Sequence, residues 1–178
     1  LLHYQPKFVA AGTPAVGAEA LLRWQHPELG MLSPDVFIPI AERSGLILPI
    51  GDWVLDQACA QLRAWHDAGQ HEWTMAVNLS PLQFSSPALL DSVRAALQRH
   101  GIAPERLTLE ITETTAMKDV EASLVILNDL TAMGVHIAID DFGTGYSSLL
   151  YLKRMPATEL KIDRAFVRDL EQNAEAAA

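Results

Sequence analysis

Asp140 and Asp141 stand side by side at the end of an apolar segment, within the stretch VHIAIDDFGTGYSSL at residues 135–149. Adjacent carboxylates at the end of a buried strand are costly to desolvate unless a cation compensates them. Because the chain can turn where a strand ends, both can face one point, as oxygen ligands of one or two divalent metals do. A helix N-cap followed by a solvated turn acid explains the same pair. Taken alone, the pair leaves both interpretations open.

Four other strand-like segments place a polar residue near the C-terminal end, on the face opposite their apolar residues. With Asp140, the polar residues are Glu19, Arg23, Asn78, Glu110 and Lys161. The side-chain oxygens of Glu19, Asn78, Glu110 and the aspartate pair suit Mg²⁺ or Mn²⁺, and two such ions can activate a water for phosphoester displacement. Lys161 can orient that water or stabilise phosphate charge, and Arg23 can bind a phosphate. Each residue singly has an ordinary structural role, such as capping a turn or pairing with a neighbour, but such roles do not explain the shared face.

Helix-ending glycines recur at Gly69, Gly101 and Gly134, 32 and 33 residues apart. Strands alternating with helices at this period indicate βα units and a mostly parallel sheet, either doubly wound or a (β/α)8 barrel. Polar groups on five strand ends favour the barrel, since a doubly wound sheet gathers its ligand at one switch point. The strands are predicted at 2–10, 16–25, 74–80, 106–112, 135–141 and 159–163. The helices are predicted at 34–44, 51–68, 86–101, 119–133, 147–153 and from 164.

Six strands in 178 residues are too few for an eight-stranded barrel, which typically takes about 250 residues. We therefore expect a domain at residues 1–171 that lacks its last two βα units, followed by a frayed tail at 172–178. The abrupt start of the sequence is typical of a domain cut from a longer chain.

The formal net charge of −9 argues against binding of duplex nucleic acid. The six histidines have no zinc-site spacing, and the single Cys59 fits a reducing compartment. No apolar run is long enough to span a membrane. We therefore expect a cytoplasmic domain, whose parent protein can still be anchored to a membrane.

An ordered series of motifs resembles the EAL-domain family of bacterial cyclic di-GMP phosphodiesterases. The motifs are YQP at 4–6, EALLRW at 19–24, AERSGLI at 41–47, VNLS at 77–80, LEITE at 109–113, DDFGTGYSSL at 140–149 and LKID at 160–163. The resemblance implies a modified (β/α)8 barrel with its first strand antiparallel to the others. It also implies hydrolysis of cyclic di-GMP to linear pGpG, with two Mg²⁺ or Mn²⁺ ions and attack by an activated water.

The resemblance also assigns roles to residues. The implied metal ligands are Glu19, Asn78, Glu110, Asp140 and Asp141. Glu19 and Lys161 are the implied catalytic residues, with Lys161 contacting the nucleophilic water. Gln5, Leu21 and Arg23 match substrate-binding positions. Glu113 matches the residue that positions the loop containing Thr144.

The family continues with a strand bearing an AEGVE-like motif and a last strand with a QG segment, and this sequence contains neither. The alternative function is therefore a cyclic di-GMP receptor or regulatory module that does not hydrolyse its ligand. A structural dimerisation domain is a third class, but it leaves the polar strand face unexplained. The family further implies a homodimer and fusion to sensory or GGDEF domains.

Overall fold

The computed structural model describes residues 1–10, 12–143, 151 and 153–163. Its main sheet has six strands, in the spatial order β1-β2-β5-β6-β7-β8, and a two-stranded hairpin, β3-β4, lies apart from it. The strands are β1 (Leu2–Phe8), β2 (Ala15–Leu22), β3 (Trp24–His26), β4 (Gly30–Leu32), β5 (Thr74–Asn78), β6 (Leu107–Thr112), β7 (His136–Phe142) and β8 (Glu159–Ile162). β1 is antiparallel to β2, and β2, β5, β6, β7 and β8 run parallel to one another.

The sheet curls as part of a barrel wall. Lys7 on β1 and Glu159 on β8, which lie on the first and last strands of the sheet, are joined by an ion pair of 3.0 Å. Such a contact is impossible across a flat sheet of six strands spaced about 4.8 Å apart. The prediction of a barrel-type α/β fold with an antiparallel first strand is confirmed for the part of the chain that the structure describes.

Helices follow the strands along the chain. They are α1 (Pro34–Arg43), α2 (Ile47–Asp67), α3 (Pro81–Phe84), α4 (Leu89–His100), α5 (Glu113–Lys118) and α6 (Val120–Ala132), with a 3₁₀ turn at Pro104–Arg106. The helix predicted from 164 and the tail at 172–178 fall outside the described residues. Of the helix predicted at 147–153, the structure describes only residues 151 and 153. No helix of the described chain is both long and apolar enough to cross a membrane.

The core lies between the outer face of the sheet and the helices. Val77, Leu109 and Ile137 are buried on the strands, and Leu62 and Leu127 are buried on the helices, all in one apolar cluster. Burying each such side chain contributes about 1.5–3 kcal/mol. The opposite parity of the same strands is free to carry the polar residues, because the core does not need it.

The second predicted strand, 16–25, is wrong at its end. β2 stops at Leu22, and Trp24–His26 pairs instead with Gly30–Leu32 in the hairpin. The alternating pattern of apolar residues is continuous through both segments, so the sequence alone could not show the break. Trp24 packs edge-on against Phe37 of α1, with 5.7 Å between ring centroids, which fixes the hairpin against that helix.

α2 begins at Ile47, four residues before the predicted start at Gly51. Position 51, inside the helix, is a glycine because Gln83 packs against it. A β-carbon at this position would be 1.7 Å from Gln83 Nε2. The glycine therefore permits a close approach rather than beginning a helix. α4 likewise begins at Leu89, after a turn at Ser86 and Pro87, where the Ser86 hydroxyl accepts a hydrogen bond from the Ala88 amide.

Candidate active site

The Lys161 ammonium lies among three carboxylates. Its Nζ atom is 2.5 Å from Glu110 Oε2, 2.8 Å from Asp140 Oδ2 and 3.2 Å from Glu19 Oε2. Four strands, β2, β6, β7 and β8, thus contribute to one polar cluster. Of the residues that strand parity predicted would share one face, the structure brings Glu19, Glu110, Asp140 and Lys161 into direct contact.

The strand register explains this convergence. Glu110 of β6 lies beside Asn78 of β5 on one side and Ala138 of β7 on the other. Parallel strands in register bring residues of equal parity to one side at equal height. The small Ala138, buried like its neighbours, leaves room for the longer side chains that point inward next to it.

Asn78 extends the cluster toward β5. Its amide Nδ2 donates a 2.8 Å hydrogen bond to Glu19 Oε1. The chain turns directly after it, where Ser80 and Gln83 form a capping box at the start of α3. This reciprocal cap satisfies otherwise free backbone donors and fixes the turn that carries Asn78.

Asp141 is the exception to strand parity. Its φ of 55° is left-handed, which is uncommon for a residue other than glycine. The pairing of β7 with β8 shifts between Ile139 and Phe142, so two residues on β7, Asp140 and Asp141, lie opposite the single Lys161 on β8. Neighbouring residues of a strand normally point to opposite faces, but a bulge re-aims a side chain. Asp141 therefore lines the same cleft as Asn78, although Asp140 directly before it also faces the cluster. The bulge is what allows adjacent aspartates to serve one site.

Burial dominates the electrostatics of Glu110. It raises the pKa of Glu110 to about 6, against the lowering effect of the hydrogen bond from Lys161. Burial alone lowers the pKa of Lys161, but its hydrogen bonds to Asp140 and Glu110 outweigh that effect and raise the pKa above its ordinary value. For Asp141, burial and then the charges of Asp140 and Asp163 raise the pKa. Negative charge is in excess here, so the cluster favours additional cations.

The donor set fits a hard divalent cation. Every candidate ligand offers oxygen, as Mg²⁺ and Mn²⁺ prefer. Glu110 Oε1 is buried and has no hydrogen-bond partner among the residues that the structure describes, an arrangement that is costly unless a cation compensates it. Over residues 1–10, 12–143, 151 and 153–163, no three His, Cys, Asp or Glu side chains are grouped so that they could hold a metal ion as they stand. Lys161 lies between the carboxylates that would have to approach one another.

A cleft of about 420 Å³ opens next to the cluster. Its walls include Asn78 and Asp141 from the cluster, and Leu21 and Arg23 from the end of β2 and just beyond it. Arg23 is half-buried and forms no ion pair within the described chain, where its guanidinium donates to the Leu22 carbonyl at 2.8 Å. Gln5 lies opposite Glu19 across β1 and β2. An anionic ligand in the cleft would therefore meet the Arg23 guanidinium, which forms no ion pair among the described residues, beside the acidic cluster.

The family model of the EAL domain matches residues 1–178. The chain belongs to the EAL family. It is 60% identical over its whole length to the bifunctional diguanylate cyclase/cyclic di-GMP phosphodiesterase MucR of Pseudomonas aeruginosa, and 45% identical over 169 residues to the cyclic di-GMP phosphodiesterase NbdA of the same organism. It spans 26% and 22% of the lengths of these two proteins. The solved structure of the PaMucR phosphodiesterase in a c-di-GMP complex has a TM-score of 0.95 at 60% identity, covering 99% of this chain and 72% of that one.

One EAL motif residue, Glu113, is buried and contacts Gly143, which directly follows β7. It is 2% exposed, and its Oε2 atom accepts a 2.8 Å hydrogen bond from the Gly143 amide. Its other oxygen, Oε1, is buried without a hydrogen-bond partner among the described residues. The predicted role of Glu113 in positioning the following loop agrees with this contact, while Thr144 lies outside the described residues.

Three charged residues of this EAL site were not predicted. Lys7 and Glu159 form the ion pair across the sheet, and Lys7 Nζ also lies 3.9 Å from Glu110 Oε1. Strand parity contains the signal, because Lys7 follows Gln5 by two residues and Glu159 precedes Lys161 by two. Asp163 is a third such residue, whose charge acts on Asp141.

Proposed function

We propose that this EAL domain hydrolyses cyclic di-GMP to linear pGpG with the help of Mg²⁺ or Mn²⁺. A water oxygen forms a bond to one phosphorus, the bond from that phosphorus to the 3′ oxygen breaks, and the 3′ oxygen takes up a proton. The product is linear and retains a 5′ phosphate. The names of MucR and NbdA, and the c-di-GMP complex of PaMucR, support the substrate.

The oxygen donors of the cluster would hold two divalent cations. They are Glu19, Asn78, Glu110, Asp140 and Asp141. When bound, such cations supply a nucleophile at neutral pH and neutralise charge on the phosphate. The observation of this chain that supports metal binding is Glu110 Oε1, which is buried without a hydrogen-bond partner in the described part of the chain.

Lys161 would donate a hydrogen bond to the attacking water or to the phosphate. In this arrangement its ammonium donates to Glu19, Glu110 and Asp140. Metal binding requires it to give up part of these contacts, which frees N–H groups to hold the water or the phosphate. With its pKa raised above the ordinary value, Lys161 stays protonated near neutral pH and acts as a hydrogen-bond donor and a positive charge.

Arg23, Leu21 and Gln5 would bind the substrate. Arg23 can bind a phosphate oxygen without first breaking an ion pair within the described chain, and Leu21 offers apolar surface to a base. Gln5 lies opposite Glu19 and can orient the ligand beside the acidic residues. The relatives MucR and NbdA are much longer than this chain, which supports fusion to sensory or GGDEF domains. A homodimer and a cytoplasmic position stay predictions.

The single observation that carries the proposal is the convergence of Glu19, Glu110 and Asp140 on Lys161. We would incubate the protein with cyclic di-GMP and Mn²⁺ and separate the products by chromatography, with chelator and Glu19→Gln as controls. Formation of pGpG that both controls abolish would support the enzyme. Binding of cyclic di-GMP without product, unchanged by chelator, would support the receptor instead.

A further inference from the structure

The Lys7–Glu159 ion pair lies directly beside the acidic cluster. Lys7 Nζ is 3.0 Å from each carboxylate oxygen of Glu159, so the ammonium is held by both oxygens at once. The same Nζ atom is 3.9 Å from Glu110 Oε1, beyond hydrogen-bond distance. Among the described residues, Glu110 Oε1 is buried and accepts no hydrogen bond.

Glu110 would be the stronger partner for Lys7 because it is more deeply buried. Its side chain is fully buried, whereas that of Glu159 is 40% exposed, and ion pairs strengthen as water is excluded. The four-carbon stem of a lysine is flexible, and a shift of about 1 Å would bring the two atoms to an ordinary charge-assisted hydrogen bond. Within the described residues, the contact that holds Lys7 back is Glu159.

Closure of Lys7 onto Glu110 would block the cluster. Glu110 Oε2 already accepts from Lys161, so both oxygens of this carboxylate would then be bound to ammonium groups. A divalent cation would have to displace two lysines rather than one. The position of Lys7 therefore affects how readily Glu110 acts as a ligand.

We propose that Glu159 is a positioning residue of the site: it binds Lys7 through both carboxylate oxygens and keeps that ammonium off Glu110 Oε1. The inference rests on the proposed metal-dependent function for its consequence, but the contact itself exists without a metal. It assigns a role in metal affinity to two residues on opposite edges of the sheet.

The test is a double-mutant cycle with Glu159→Gln, Lys7→Met and the double variant. Mn²⁺ binding to the protein without substrate is measured by calorimetry. We expect Glu159→Gln to weaken Mn²⁺ binding at least about tenfold, the scale of one added hydrogen bond to a charged group. In the Lys7→Met background the same substitution should change affinity by no more than about twofold, since no ammonium is left to close. Equal effects in both backgrounds would show that only the charge of Glu159 matters and would overturn the inference.

A crystal structure of metal-free Glu159→Gln gives a second readout. The distance from Lys7 Nζ to Glu110 Oε1 should fall from 3.9 Å to hydrogen-bond range; an unchanged distance contradicts the proposal. Glu72→Gln is the matched control, because it breaks the 2.7 Å pair with Arg106 outside the site and should leave Mn²⁺ affinity unchanged. If the wild-type protein binds no Mn²⁺, the proposed function fails, while the crystallographic distance still decides the role of Glu159.

Discussion

Lys161 donates a 2.5 Å hydrogen bond to Glu110, joining a lysine that is 25% exposed to a carboxylate that is fully buried. The ammonium is the counter-ion that makes burial of this carboxylate tolerable. Stability of the metal-free domain and the proposed hydrolysis therefore depend on the same side chain.

Replacing Lys161 with Met should destabilise the metal-free protein by about 3 kcal/mol, because Glu110 is left buried without its partner. Hydrolysis should be lost. Mn²⁺ should then raise the melting temperature more in the variant than in the wild type, since a cation can replace the missing charge. Differential scanning fluorimetry with chelator and with Mn²⁺ measures both effects. Lys118→Met, at the exposed end of α5, is the control and should change neither.

The raised pKa of Glu110 predicts a pH dependence of the metal-free protein. Its ordinary pKa of 4.5 rises to about 6 in the fold, so the folded state binds the proton more tightly. The resulting contribution to stability is fully present below pH 4.5 and is lost as pH rises through 6; it amounts to about 2 kcal/mol. Urea denaturation in chelator from pH 4 to 7 should show this loss in the wild type relative to Glu110→Gln. A difference between the two proteins that is constant over this range would contradict it.

Asp141→Asn should separate backbone from charge. Asparagine tolerates the left-handed φ of 55° at least as well as aspartate, so the bulge should persist and stability should change by no more than about 0.5 kcal/mol. Hydrolysis should fall on the order of 100-fold, the scale seen when one preorganised electrostatic group is removed. Thermal melting and steady-state rates at saturating Mn²⁺ check the two halves. Full activity would remove Asp141 from the ligand set.

Arg23→Gln should weaken the binding of cyclic di-GMP without affecting the fold. The guanidinium forms no ion pair within the described residues, so its loss should cost no more than about 0.5 kcal/mol of stability. Loss of a charge-assisted contact to phosphate should raise KM about tenfold or more. Arg94→Gln, which removes an exposed pair with Asp91 on α4, should leave KM unchanged.

Gly51→Ala should destabilise the protein by about 1–3 kcal/mol, although alanine favours helices over glycine. The new β-carbon would lie 1.7 Å from Gln83 Nε2 and would displace the side chain that caps the turn after Asn78. Denaturant unfolding should show the loss. Adding Gln83→Ala should recover part of it by removing the clash; no recovery would indicate another cause.

Parity along single strands was enough to predict which side chains meet around Lys161. A parallel sheet in register turns a one-dimensional pattern into proximity, and Glu19, Glu110 and Asp140 obey that rule. Asp141 does not, because its position depends on a bulge set by the pairing with β8, which no local pattern encodes. The predicted end of β2 was wrong for a similar reason. The residues of β3 continue the same alternation but pair with β4 rather than with the main sheet. The role of Gly51 depends on a residue 32 positions away, so the local pattern wrongly placed the start of the helix there.

The reversal of β1 also determines where the domain can be acted on. Leu2 lies opposite Leu22, and the backbone of Leu1 exchanges hydrogen bonds of 2.9 and 3.0 Å with Arg23. Had β1 run with the other strands, the chain would enter at the far rim, away from the chemistry. As it is, the backbone of Leu1 holds the backbone of Arg23 at the mouth of the cleft, so a shift of β1 along β2 would move the substrate-facing arginine directly.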